Sequence, residues 1–267
     1  MILPKIKPED AALYYEIHGE GTSLLLIPGL GSDGSSWGSV VTKLAGRFKV
    51  ISLDNRGAGR SEVPATGYTV AQMAGDAVRL LDHLQIKKAH VLGHSLGGYI
   101  AQELAIDHPE RVERLILEST APVSSERNNA LFLKFFRQLR DGGNAEAWFR
   151  EWTRWLFSPE CLGRKTFIEA FVKHGADYPY APRAVGFRGQ IEAIASFDSR
   201  AKLGRIKAQT LVMVGKEDRL IFPKEAETLA KGIPGSLFQC IKDVGHCIHI
   251  ENRDLFIKVV GEYLVSK

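Results

Sequence analysis

The sequence predicts an α/β fold, a mostly parallel sheet with helices on both faces, interrupted by one inserted helical block. Three observations carry this prediction. Short apolar, β-branched runs alternate with helical periodicity over the first 121 residues. The same alternation resumes from about residue 205 to the C-terminus. Between the two, only helical patterns occur. With no internal repeat and no low-complexity linker, the expected division is a core of residues 1–121 and 200–267 and a helical insertion over 122–199.

Taken in order, ALYYEIH (12–18), SLLLIPG (23–29) and FKVISLD (48–54) read as strands, the last ending at Asp54. TVAQMAGDAVRLLDHL (69–84) sets Val70, Met73, Ala74, Ala77, Leu80, Leu81 and Leu84 at helical spacing. AHVLG (89–93) is a short strand running straight into HSLGGYIAQELAIDHP, a helical pattern stopped before Pro109. RVERLILES (111–119) is the next strand. The insertion contains ALFLKFFRQLRD, AEAWFREWTRWLF and RKTFIEAFVKHG, each helical in period. QTLVMVG (209–215) and SLFQCI (236–241) are strands flanking the helix PKEAETLAKGI (223–233), and RDLFIKVVGEYLV (253–265) closes the chain as a helix.

Composition narrows the function classes. Over 267 residues, 45% hydrophobic and 25% charged content are globular proportions that exclude collagen-like, coiled-coil and disordered chains. A net charge of +4, without long single-sign blocks, leaves no footprint for nucleic acid or an anionic membrane. No run approaches the eighteen or so apolar residues of a transmembrane helix. The start, MILPKIKPED, has charge and proline where a signal peptide needs an apolar run. Cys161, Cys240 and Cys247 are too few and too scattered for a disulfide framework or a metal cluster, so a reducing cytoplasm is the expected location. The aromatics are uneven: residues 122–199 hold 14 of the chain's 24, which makes the insertion the expected specificity element.

The chemistry starts at Gly93-His94-Ser95-Leu96-Gly97, a G-x-S-x-G segment between a strand and a helix. A turn this tight excludes larger side chains and lifts a serine Oγ above the sheet edge, at the N–H end of the following helix. A serine hydroxyl needs a base, and the base needs an orienting carboxylate. Asp218, three residues past Gly215 and beyond one strand, and His246, after Gly245 and beyond the next, supply them in the order Ser, Asp, His. Glu217 and His249 are the rival residues, and His249, alternating with Ile248 and Ile250, reads as a packed or capping histidine. Oxyanion donors are expected from the backbone N–H of Leu96 and, in the Pro28-Gly29-Leu30-Gly31 loop, of Leu30. Gly57-Ala58-Gly59-Arg60-Ser61 lacks the pattern of a phosphate loop. In the insertion, Trp148, Trp152 and Trp155 share one helix face, either as internal packing or as lining of an apolar substrate pocket.

With Pro28-Gly29-Leu30-Gly31, Trp37, the Asp54–Ser61 segment, Gly93–Gly98, Asp218 and Gly245-His246 in register, the sequence resembles the α/β-hydrolase superfamily over about residues 12–121 and 205–265. Its length, the GLGSDGSSW segment and the single insertion are similar to those of 3-oxoadipate enol-lactonases, aminoacrylate hydrolases and small carboxylesterases. The resemblance implies an α/β-hydrolase fold with Ser95 as nucleophile, Asp218 and His246 as its partners, Leu30 and Leu96 as oxyanion donors, and no cofactor or metal. The implied partner is a small-molecule acyl substrate, cleaved as an ester, a lactone or a related compound through an acyl-enzyme. Two alternatives use the same residues: a small-molecule receptor with slow hydrolysis, and a hydrolase of carbon–carbon bonds. Two departures matter. Many relatives have His-Gly where this chain has Pro28-Gly29, and a serine rather than an aspartate at position 95 argues against epoxide and halide chemistry.

Overall fold

The computed structural model describes residues 5–6, 11–64 and 67–265. Most of the N-terminal segment read above, MILPKIKPED, lies outside the described residues. Eight strands form one sheet among the described residues: β1 Lys5–Ile6, β2 Leu13–His18, β3 Thr22–Ile27, β4 Phe48–Leu53, β5 Ala89–His94, β6 Val112–Glu118, β7 Gln209–Gly215 and β8 Leu237–Ile241. Their spatial order is β1-β2-β4-β3-β5-β6-β7-β8, antiparallel at β1/β2 and β2/β4 and parallel everywhere else. Every residue of β5, at the centre, is buried, as a strand covered on both faces requires. β8, at the edge, is half exposed.

The helices are α1 Ser39–Leu44, α2 Val70–His83, α3 Leu96–Asp107, α4 Glu126–Arg140, α5 Ala145–Leu156, α6 Pro159–Gly163, α7 Lys165–Asp177, α8 Ala184–Ser196, α9 Pro223–Gly232, α10 Ile248–Glu251 and α11 Arg253–Val265. Alternate strand residues feed two cores. Leu25, Ile27, Val91, Leu117 and Val214 pack with α2, α3 and α9, whereas Leu24, Leu26, Leu92, Ile116 and Met213 pack with α1 and α11. The start of α2 is set by a capping box: the Gln72 N–H donates to Thr69 Oγ1 at 3.2 Å and the Thr69 N–H to Gln72 Oε1 at 2.9 Å.

Between β6 and β7 the chain runs through α4 to α8. Its way in and its way out meet: Val123 and Asp198 form an antiparallel bridge, and the Ser199 N–H donates to Pro122 O at 2.9 Å. Helix α8 escapes a reading by periodicity because Gly186 and Gly189 dilute it. Both glycines are steric necessities. A Cβ on Gly186 would lie 1.8 Å from Gly57 O, and one on Gly189 would lie 2.6 Å from the Tyr68 ring. Among the described residues, no helix is long and apolar enough to cross a membrane.

Candidate active site

Strand β5 ends in a turn that only glycine neighbours allow. Ser95 itself has φ +53° and ψ −113°, a left-handed backbone that non-glycine residues adopt only where the surroundings enforce it. The enforcement is visible. A Cβ on Gly93 would fall 2.1 Å from Gly97 O, one on Gly97 2.0 Å from Ile27 O, and one on Gly98 2.5 Å from the Thr120 side chain. The Ser95 N–H donates to Glu118 O at 2.9 Å, and Thr120 Oγ1 donates to Ser95 O at 3.0 Å. Ser95 is thus locked between β6 and the first turn of α3.

Asp218 sits past β7 and is 2% exposed. Its Oδ1 accepts the N–H groups of Leu220 at 2.8 Å and Ile221 at 2.9 Å, which fixes the carboxylate plane. Its Oδ2 is 2.8 Å from His246 Nδ1. Because a carboxylate only accepts, this bond places the ring proton on Nδ1 and leaves Nε2 able to accept a proton. The approach of the two loops depends on Gly215, whose Cβ would lie 2.1 Å from Gly245 O. Glu217 is exposed and takes no part in this pair.

The loop after β3 reaches Ser95 because Gly29 has no side chain: a Cβ there would lie 2.9 Å from His94 Nδ1 and 3.4 Å from Ser95 Cβ. Its polar support comes from two side chains that the sequence does not announce. Asn55 Nδ2 donates to Pro28 O at 2.9 Å, and Gln190 Oε1, from α8, accepts the Gly31 N–H at 2.8 Å. Gln190 Nε2 also donates to Arg56 O at 3.0 Å. Below this loop, Asp54 accepts from the Gly34 N–H and from Arg60. Burial pushes its carboxyl up, against the Arg60 guanidinium that pulls it down.

His94 and His249 form a layer beneath the pair. His94 Nε2 is 3.2 Å from His246 O, and its ring lies 4.8 Å from those of His246 and His249. Burial, followed by the neighbouring His249 and His246, holds its protonation well below the ordinary histidine range. A neutral His94 therefore donates Nε2–H to the His246 carbonyl. His249 Nδ1 is 2.9 Å from Glu118 Oε1, and its backbone N–H donates to the same oxygen at 3.1 Å. His94, Glu118 and His249 are the one metal-type cluster among the described residues, with the carboxylate already taken up by His249.

A cavity of about 660 Å³ joins these parts. Leu30, Ser95 and His246 line it, as do Trp148 and Trp152. Leu96 does not; its buried side chain points away, and its backbone N–H opens α3. Neither the Leu30 nor the Leu96 N–H donates to a described backbone or side-chain group. Trp155 is a correction to the pocket-lining reading: it is half-buried at the edge of the core and does not line the cavity. Trp148 serves both roles, since its Nε1 donates to Phe135 O at 3.1 Å while its ring stacks on Trp152 at 5.6 Å. The insertion also grips the histidine loop. Leu156 O accepts the N–H of His246 at 2.8 Å, and Glu251 Oε2 accepts those of Gly245 and Ser158, both at 3.1 Å. Gly245 permits this contact, since its Cβ would lie 2.8 Å from Leu156 O.

Known proteins are similar to this chain over nearly its full length. The model of the α/β hydrolase fold family matches residues 22–253. A putative carbamate hydrolase of Azorhizobium caulinodans is 31% identical, covering 95% of each chain. The crystal structure of an enol-lactonase from Burkholderia xenovorans superposes with a TM-score of 0.90 at 30% identity, covering 98% of this chain and all of the other. A thermophilic esterase from Thermogutta terrifontis superposes with a TM-score of 0.85 at 28% identity, covering 99% and 98%. The chain belongs to the α/β-hydrolase fold family and is a hydrolase.

Proposed function

We propose that the protein is a serine hydrolase that cleaves a small carboxylic ester, lactone or related acyl compound through an acyl-enzyme. The observation that carries this reading is the 2.8 Å Asp218–His246 bond, opening onto the same cavity as a serine held at φ +53°. His246 Nε2 takes the Ser95 proton as Oγ bonds to the acyl carbon, and the oxyanion is met by the N–H groups of Leu30 and Leu96. The carbon–oxygen bond to the leaving group then breaks, and that oxygen takes the proton from His246. Water, deprotonated by the same nitrogen, attacks the acyl carbon; the bond from that carbon to Oγ then breaks, Oγ takes the proton back from His246, and the free acid leaves. Asp218 holds the ring in the required tautomer and stabilises the imidazolium. No step needs a cofactor. The insertion acts as a cap, and the three cysteines, free thiols all, suit a cytoplasmic setting.

The test is Ser95→Ala, assayed on short p-nitrophenyl esters and simple lactones. The expected loss is about 10⁴-fold or more in kcat with unchanged thermal unfolding. A folded Ser95→Ala enzyme that keeps the wild-type rate overturns the reading.

A further inference from the structure

We infer that the cavity selects acyl substrates that carry no negative charge, esters or lactones of uncharged aryl or alkyl acids, over equally long substrates that end in a carboxylate. This rests on the serine-hydrolase reading above. It starts from the charges of the cavity wall. No lysine lines the cavity among the described residues, and Arg253 is its one arginine. Arg253 Nε lies 3.2 Å from Asp254 Oδ1 at the solvent-facing rim, so that cation already has a carboxylate. The wall itself also contributes acids. Asp33 is 4% exposed, and Glu251 is half-buried beside the histidine loop.

Two further carboxylates stand directly behind the wall, Asp218 under His246 and Glu118 under His249, both with almost fully buried side chains. Poorly solvated charges act over longer distances than exposed ones, so these acids bear on whatever occupies the cavity. His174, the remaining lining base outside the His94–His246–His249 group, stacks near the Tyr178 ring at 5.8 Å. Tyr178 in turn donates its hydroxyl to Asp33 Oδ2 at 2.6 Å, so this corner is organised around a carboxylate and not to receive one.

The insertion's side of the wall is aromatic, and the lining serines Ser35 and Ser36 already donate their hydroxyls to Asp33. Phe132, Trp148, Phe149, Trp152, Phe167 and Phe171 line the cavity from the insertion. The Trp148 indole N–H, a donor that could otherwise meet a carboxylate, is turned to Phe135 O. A substrate carboxylate would give up its water to face aromatic carbon and like charge, and buried unpaired charge is among the costliest arrangements in a protein. An uncharged ring or alkyl chain loses nothing polar and gains the aromatic contacts.

The experiment compares two substrates of equal length, p-nitrophenyl heptanoate and p-nitrophenyl hydrogen adipate, at pH 8, above the ordinary histidine range. In parallel, a fluorophosphonate probe labels Ser95, and each compound's uncleaved amide is tested for protection against labelling. The expected result is kcat/KM at least about tenfold higher for the neutral ester, with protection ranked the same way. Equal rates and equal protection, or a preference for the carboxylate, overturn this inference while leaving the hydrolase reading intact. No labelling and no turnover of either ester overturn the hydrolase reading, and this inference falls with it.

Discussion

The sheet-borne loops and the helical insertion are held by different forces. Around Ser95, Asp218 and His246, position is set by hydrogen bonds at 2.8–3.2 Å and by glycines whose missing Cβ atoms allow backbones to touch. The insertion is held mainly by rings: Trp148 packs against Phe135, Phe149, Trp152 and Phe187 at centroid distances from 4.9 to 6.0 Å. Hydrogen-bonded geometry has one solution and fails abruptly. Aromatic packing is non-directional by comparison, so it can be re-cut to a new substrate while the reacting groups stay in place. The two regions also meet at polar contacts, among which Gln190 on Gly31, the Leu156 carbonyl on His246 and Tyr178 on Asp33 reach the site.

The largest expected effect separates the regions by activity. Asp218→Asn keeps an oxygen to accept the Leu220 and Ile221 N–H groups, so the loop should fold as before. It loses the acceptor that fixes His246 in the Nδ1–H tautomer. The expected outcome is a fall in kcat of about 10⁴-fold with unfolding temperature nearly unchanged. A fall of less than tenfold would show that another group orients His246.

This division also explains what the sequence reveals. Gly93, Gly97, Gly215 and Gly245 are readable in one dimension because steric demands for glycine are local and leave a fixed pattern. Strands β3 to β7 are readable because strands buried on both faces carry near-continuous apolar runs, such as residues 24–27 and 211–214. Gln190 is not readable: it is one of several polar residues in α8, with Arg188 and Glu192 on either side, and its partner Gly31 is 159 positions away. Likewise Trp148, Trp152 and Trp155 look equivalent by spacing, yet only the first two line the cavity; they are buried in the core, whereas Trp155 is half-buried at its edge. Periodicity fixes a helix face. It does not say which neighbour covers each part of it.

The next effect should appear in stability. Trp148→Ala removes a ring that is 5% exposed and in contact with several others, so a loss of about 3–5 kcal/mol is expected. Trp155→Ala removes a half-buried ring and should cost about 1 kcal/mol. Urea unfolding of both variants, beside p-nitrophenyl ester assays under conditions where each is folded, checks this. If Trp148→Ala loses turnover on p-nitrophenyl acetate as heavily as Asp218→Asn, the insertion supplies more than packing and the contrast between the regions breaks.

The smallest effect concerns acid. Both histidines whose protonation is depressed by burial, His90 and His94, lie in β5 of the core. For a base with a lowered folded pKa, the unfolded chain binds the proton more readily. The stabilisation is complete above the unfolded value, about 6.5, and is lost as pH falls from there towards the folded value. Each such histidine contributes a slope of at most about 1.4 kcal/mol per pH unit in that interval. Asp54, Glu103 and Glu225, whose carboxyls burial raises, act in the opposite sense, so the contribution of His94 has to be isolated by difference. His94→Gln keeps an N–H that can reach the His246 carbonyl and removes the titration. Unfolding free energies from urea titrations at pH 7.5, 6.5 and 5.5 should fall more steeply for the wild type than for the variant. The difference should open only below about pH 6.5. Parallel lines for the two proteins would mean that His94 stays neutral in the unfolded chain as well, or takes up its proton without cost inside the fold, and the acid sensitivity would then belong to another part of the molecule.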